Sequence, residues 1–142
     1  MTDAARVSTR PERLKRRADY VAAAKGRRAH APAFTLQGVE RPADPSAPAA
    51  PRFGLTVSRK VGNAVERNRV KRRLRDVLRR MAGDPNGSPG HDRFDYVVVA
   101  RRDALAAPFD RLVIDLADAV RAIHAPRRDR RRPPTSPPAA TV

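Results

Sequence analysis

The chain of 142 residues contains neither cysteine nor tryptophan. Disulfides and thiolate metal sites are thereby excluded. Aromatic residues are scarce, four Phe and two Tyr, so the core has to be small and aliphatic, built from Val, Leu, Ile and Ala. Long apolar runs are missing too. The longest stretch of large apolar residues, Tyr96 to Val99, is far shorter than the run of about 18 that a membrane helix needs, so a soluble protein without membrane contact is expected. Met1 to Arg10 lacks the apolar segment of a secretion signal, which makes the cytoplasm the expected location. Negative charge is the last scarcity: 15 Asp and Glu stand against 31 Lys and Arg, a net charge of +16. The length fits one domain.

The positive excess is not spread evenly. Signed charge runs +6 over residues 1–33, −1 over 34–51, +9 over 52–80, −2 over 81–126 and +4 over 127–142. Concentration in one block is the electrostatic footprint of a polyanion binder, because Lys and Arg gain affinity by releasing counterions condensed on phosphates. Arg outnumbers Lys by 27 to 4. A GC-rich coding bias accounts for most of that ratio, and phosphate gripping for the net charge.

Proline and glycine divide the chain. Four Pro within residues 41–51 forbid helix or central strand and predict an exposed loop. Residues 84–90 form a turn-rich connection. A flexible N-terminus over 1–11 and a disordered Arg/Pro tail over 126–142 flank a single domain at 12–125. Within it, Pro11 to Lys25 reads as a helix with Leu14, Ala18, Val21 and Ala22 on one side and Gly26 just past its end. Ala33 to Val39 and Arg52 to Ser58 are β-type, the second with Phe53, Leu55 and Val57 on one face. Phe94 to Ala100 predicts a strand buried on both faces. Phe109, Leu112, Val113, Leu116, Val120 and Ile123 follow helical spacing, which predicts an amphipathic helix packing on the sheet.

The strongest signal lies between. Asn63 and Glu66 have the spacing of a capping box, which starts a helix at Ala64. Val70, Leu74, Val77, Leu78 and Met81 fall within about 80° of one direction, and Asn68, Lys71, Arg72, Arg75 and Arg79 fall on the opposite face. Arg69, Arg73 and Arg80 flank the apolar stripe, and Arg67 sits in the first turn. Like charges at these spacings repel by a few tenths of a kcal/mol per pair. Solvated helix faces usually mix signs, whereas only Glu66 and Asp76 interrupt this one, so polyanion binding is the better reading.

The run Val61-Gly-Asn-Ala-Val-Glu-Arg-Asn-Arg-Val-Lys-Arg-Arg-Leu-Arg75, preceded by Phe53-Gly-Leu-Thr-Val-Ser-Arg-Lys60, closely resembles the signature of the bacterial ribonuclease P protein component, with Arg67-Asn68-Arg69 matching that family's Arg-Asn-Arg motif. The resemblance covers roughly residues 12–125. It implies an α/β two-layer sandwich, a mixed sheet with helices packed on one side, similar to a ribosomal-protein domain and containing a left-handed βαβ crossover, where general rules would give a right-handed one. It further implies the small subunit of a ribonucleoprotein that removes the 5′ leader of precursor tRNA, monomeric alone, binding no cofactor itself while the catalytic RNA subunit uses Mg²⁺. By that resemblance the RNA is held by Arg59, Lys60, Asn63, Arg67, Asn68, Arg69, Lys71, Arg72, Arg75 and Arg79, largely through phosphates and 2′-hydroxyls. A second surface, between the first helix and the sheet, would take the single-stranded leader. There Tyr20 and Phe34 would stack on bases while Arg16, Arg17 and Arg27 attract the backbone. Phe34 fits the core equally well.

Catalytic chemistry within the protein is not expected. His30, His91 and His124 are far apart in sequence and show no metal-ligand spacing. His91-Asp92 with Asp95 reads as loop solvation. Ser58 has no base in register. Two rivals stand beside the main reading: a structural RNA-binding protein of the ribosome, and an autonomous metal-dependent ribonuclease.

Overall fold

The computed structural model describes residues 12–46, 49–82 and 90–125. The expected N-terminal arm, the basic tail and nearly all of the 84–90 turn lie outside them. Strands β1 (Glu12–Arg13), β2 (Arg27–His30), β3 (Phe34–Glu40), β4 (Arg52–Thr56) and β5 (Phe94–Ala100) form one sheet in the order β1-β4-β5-β3-β2. The Val-rich strand β5 takes the centre and is buried on both faces, as its continuous apolar run requires. It runs parallel to β4, with Phe53 opposite Tyr96 and Leu55 opposite Val98, and antiparallel to β3, with Leu36 opposite Val98. Helix α2 (Ala64–Ala82) connects the parallel pair, after α1 (Arg17–Ala24) and before α3 (Phe109–Ile123). The expected class, a mixed sheet with helices, is the one observed.

Strand alternation sends Phe34, Leu36, Phe53, Tyr96, Val98 and Ala100 into one core with Val70, Leu74 and Val77 of α2 and Leu112, Leu116 and Ile123 of α3. The opposite face carries Val97, Val39 and Val99 against Leu14, Tyr20 and Ala23. Helices on one side therefore describes α2 and α3, while α1 covers the other face. A central strand buried on both sides needs cover on both.

The N-terminal expectation needs correction. Glu12–Arg13 is a strand parallel to β4, Leu14 continues it by donating its N–H to the Phe53 carbonyl (2.9 Å), and the helix begins only at Arg17. Leu14 and Ala23 are buried, whereas Ala18, Val21 and Ala22 face solvent. With small residues on every side of an eight-residue helix, periodicity alone could not choose the inward face. Gly26 does follow the helix, but for close approach: a Cβ there would lie 2.1 Å from the Gly38 carbonyl oxygen.

The proline-rich segment is less exposed than expected at its end. Ala50 and Pro51 are buried. Arg41 anchors the segment, donating to the Ala50 carbonyl (2.9 Å) and to Asp95 Oδ1 (2.6 Å). Arg52 grips the same buried carboxylate through Nε and Nη2, at 2.8 and 2.7 Å.

Candidate nucleic-acid interface

The capping box forms as its spacing predicts. Glu66 N–H donates to Asn63 Oδ1 (2.8 Å) and Asn63 N–H to Glu66 Oε1 (3.0 Å). The helix so started buries Val70, Leu74, Val77 and Met81. That fixes the rotation of the opposite face: Asn68, Arg69, Arg72, Arg75 and Arg79 are exposed, and Lys71 and Arg67 are half-buried. Asn68, Lys71, Arg72, Arg75, Asp76 and Arg79 line an open depression of about 530 Å³. Arg59, Lys60 and Asn63 are exposed where the chain enters the helix. Among the described residues, the one ion pair made by a cation of α2 joins Arg79 to Asp76 at 3.0 Å. Eight cations on one helix thus remain almost without internal neutralisation, at a standing cost in like-charge repulsion.

The second predicted surface assembles only in part. Tyr20 lies over β4, its hydroxyl donating to the Leu14 carbonyl (3.4 Å). Gly54 makes this possible, since a Cβ there would fall 2.6–2.7 Å from the Tyr20 ring and hydroxyl. Arg16 and Arg17 are exposed at the start of α1. Phe34 does not belong: it is 0% exposed within the core on the far face. Arg27 also faces away, donating to the Ile123 carbonyl (2.9 Å) at the end of α3. Its neighbour Arg28 is the one that turns toward α1, reaching the Ala24 carbonyl at 3.1 Å.

On this same face the structure adds a polar group that sequence reasoning missed. His30 Nδ1 and Thr35 Oγ1 share a hydrogen bond (3.1 Å), and Arg101 Nη2 donates to the same hydroxyl (3.2 Å). Recognising Arg27–His30 as a strand was the signal that could have found them, because alternation separates Arg28 and His30 from Arg27 and Ala29.

The histidines also need correction. His91 and His124 stack with ring centroids 3.4 Å apart. The Tyr96 hydroxyl meets His124 Nε2 at 2.6 Å and accepts from the His91 N–H at 2.8 Å. Burial, then the neighbouring charges of His91 and Arg27, push His124 down to about 4, so its ring is neutral at physiological pH. Burial pushes the Tyr96 hydroxyl up to about 12. Asp95, expected to be loop solvation, is a buried carboxylate held by two arginines. Among the described residues, no three His, Asp or Glu side chains gather as a metal-ligand set, and no helix is long and apolar enough to cross a membrane.

Fold and charge together define a class: a small α/β domain that presents one cationic helix to solvent. Comparison with known proteins narrows it. A family model described as Ribonuclease P matches residues 9–124. The ribonuclease P protein component of Ruegeria pomeroyi is 44% identical over 115 residues, covering 80% of this chain and 87% of that protein. The one from Bartonella quintana is 41% identical, covering 78% and 82%. Among solved structures, the RNase P protein from Thermotoga maritima superposes with a TM-score of 0.58 at 26% identity, covering 75% of this chain and 93% of that one. The chain belongs to the ribonuclease P protein component family. Membership makes it a subunit of ribonuclease P, with the RNA subunit of that ribonucleoprotein as its partner.

Proposed function

We propose that this protein holds the catalytic RNA subunit of ribonuclease P with the outward face of α2 and steadies the 5′ leader of precursor tRNA on the sheet face beside α1. The observation that carries this reading is the helix itself: its apolar stripe is buried while all eight of its cations, Arg67, Arg69, Lys71, Arg72, Arg73, Arg75, Arg79 and Arg80, stay wholly or partly solvent-accessible. Arg forks pair bidentately with phosphates and Asn68 offers both a donor and an acceptor, which suits recognition of a folded RNA by shape and 2′-hydroxyl. Arg59, Lys60 and Asn63 extend that surface at the helix entrance. On the second surface Tyr20, Arg16 and Arg17 carry the leader, with Arg28 in the place expected of Arg27. Hydrolysis, with its Mg²⁺, is assigned to the RNA, and the protein in the absence of RNA is a monomer. Reconstitution tests the whole reading. Protein plus cognate RNA subunit and Mg²⁺ should cleave precursor tRNA at the mature 5′ end at lower Mg²⁺ than the RNA alone. Nucleic-acid-free protein should leave the substrate intact, and robust cleavage by it would refute the assignment. Copurification with ribosomal RNA instead would favour the ribosomal reading.

A further inference from the structure

After β5, residues Arg102–Leu105 form a 3-10 turn. From this turn Arg102 reaches back to the entrance of α2. Its Nη1 donates to the Val61 carbonyl (2.7 Å), and its Nη2 pairs with Glu66 Oε2 (3.2 Å). Glu66 is the carboxylate that closes the capping box on Asn63, so one side chain is held from both ends. Those two hydrogen bonds, the Asn63 N–H first and Arg102 second, keep the Glu66 carboxyl below its ordinary range. Gly62 lies between the partners. A Cβ there would sit 2.1 Å from Glu66 Oε1 and 2.9 Å from Arg102 Nη1, so only glycine leaves the contact room. Arg67 Nη1 donates to the Gly62 carbonyl (3.0 Å), which ties the first residue of the Arg-Asn-Arg run to the same loop. In the opposite direction Arg73 leaves α2 and donates to the Ala104 carbonyl (3.1 Å) and to that of Ala107.

Two arginines thus cross the seam between α2 and the 3-10 turn reciprocally, one at the helix entrance and one a little over two turns into it. We propose that Arg102 is a positioning residue for RNA recognition: through the Val61 carbonyl and Glu66 it sets the frame of the 59–63 loop and the first turn of α2, while touching no RNA itself. Both of its terminal nitrogens are already engaged by protein acceptors. Glu66 and Arg73 lie on the flank of α2 beside the buried stripe, away from the face carrying Asn68, Arg72 and Arg75. The inference rests on α2 being the RNA-binding surface.

The test is a salt series. Binding of the RNA subunit is measured for the full chain, Arg102→Ala, Arg102→Lys and Arg72→Ala. Arg102→Ala should weaken binding by about fivefold, the scale of a partly exposed ion pair, with the slope of log affinity against log salt unchanged. Arg72→Ala should lower that slope by roughly 0.7–0.9, the signature of one lost phosphate contact. Arg102→Lys, which keeps the charge but replaces the two-nitrogen fork spanning both acceptors with a single ammonium, should fall between wild type and Arg102→Ala. In the free protein, Arg102→Ala should speed amide exchange at residues 61–67. An Arg102→Ala affinity equal to wild type, or a slope loss matching that of Arg72→Ala, overturns the proposal. If wild-type protein does not bind this RNA, the functional reading fails instead. Amide exchange then decides the positioning contact alone, and unchanged protection at 61–67 overturns it.

Discussion

Arg72 and Leu74 stand two residues apart on α2 and face opposite ways, so truncating each to alanine separates binding from folding. Leu74 is 2% exposed in the main core. Leu74→Ala removes a buried isobutyl group and should cost about 2–5 kcal/mol, depending on how far α2 and α3 can close the cavity. At roughly 4 °C per kcal/mol for a domain of this size, the melting temperature should fall by about 8–20 °C. Arg72 is exposed, so its truncation opens no cavity and should change stability by about 0.5 kcal/mol or less. It should, however, remove charge-assisted hydrogen bonds worth about 1–3 kcal/mol, a loss of roughly 5- to 150-fold in affinity for the RNA subunit. Circular dichroism melts and RNA titration of the same preparations give both numbers. If Arg72→Ala lowers the melting temperature more than Leu74→Ala does, the assignment of inward and outward faces is wrong. If about six phosphates are neutralised across the interface, log affinity should fall with log salt at a slope near −4 to −5; a flat response would exclude phosphate contact as the mechanism.

Three other outcomes follow from particular contacts. Gly54→Ala places a methyl group 2.6–2.7 Å from Tyr20 atoms; it should cost about 1–3 kcal/mol by overpacking and displace the ring, so the preference for leader-bearing over mature tRNA should shrink while affinity for the RNA subunit holds. Asp95→Asn leaves Arg41 and Arg52 without their shared charge; because both retain some solvent contact, at 15% and 27% exposure, the cost in a chemical melt should be about 3 kcal/mol, the low end for breaking a buried pair. His124 titrates near 4 when folded, below its ordinary 6.5, so the unfolded chain binds the extra proton first. Stability should therefore be full above pH 6.5 and decline as pH falls toward 4, and His124→Gln should flatten that decline; equal pH dependence in both proteins would remove the His124 account.

The sequence was most legible where one residue pattern had a single structural solution. Asn63 and Glu66 three apart before a long apolar stripe permit little but a capped helix, and α2 starts at Ala64 as that spacing requires. Four consecutive large apolar residues in 94–100 needed cover on both faces, and β5 is the central strand. Legibility failed where local signals were weak or the decisive contact was distant. The alanines of α1 fit any face, and what selects Ala23 is a sheet residue, Val97, more than seventy positions away. Strand β2 carries two arginines, an alanine and a histidine, with only Ala29 to mark an inward side. Missing that strand put Arg27 on the leader face and left Arg28 out of it, because strand alternation, which places neighbouring residues on opposite faces of a sheet, could not be applied there. Phe34 was placed correctly in a strand, with groove and core equally open to it, and the packing of β3 on α2 and α3 decides for the core. His91 and His124 become partners through tertiary closure that no spacing encodes.

The division of charge between the two helices of the main layer explains how so cationic a chain can be selective in orientation. On α3 charges of both signs lie side by side and cancel locally: Arg111 pairs with the buried Asp115 at 3.3 Å and Arg121 with Asp118. On α2 the cations have almost no such partners, although two half-buried ones, Arg67 and Arg73, also donate to backbone carbonyls. Under the proposed function, an approaching RNA would meet a neutralised flank on α3 and an unneutralised face on α2, so the field itself would select the docking face before any specific contact forms. The repulsion stored along α2 is offset by its buried stripe, which stabilises the helix without using any outward residue. Packing and recognition are thus borne by different faces of one helix. On the proposed reading, substitutions on the cationic face should tune affinity with little effect on the fold, whereas the loop at 59–63, beside the Arg102–Glu66 pair, is the point at which a change in packing would reach the RNA.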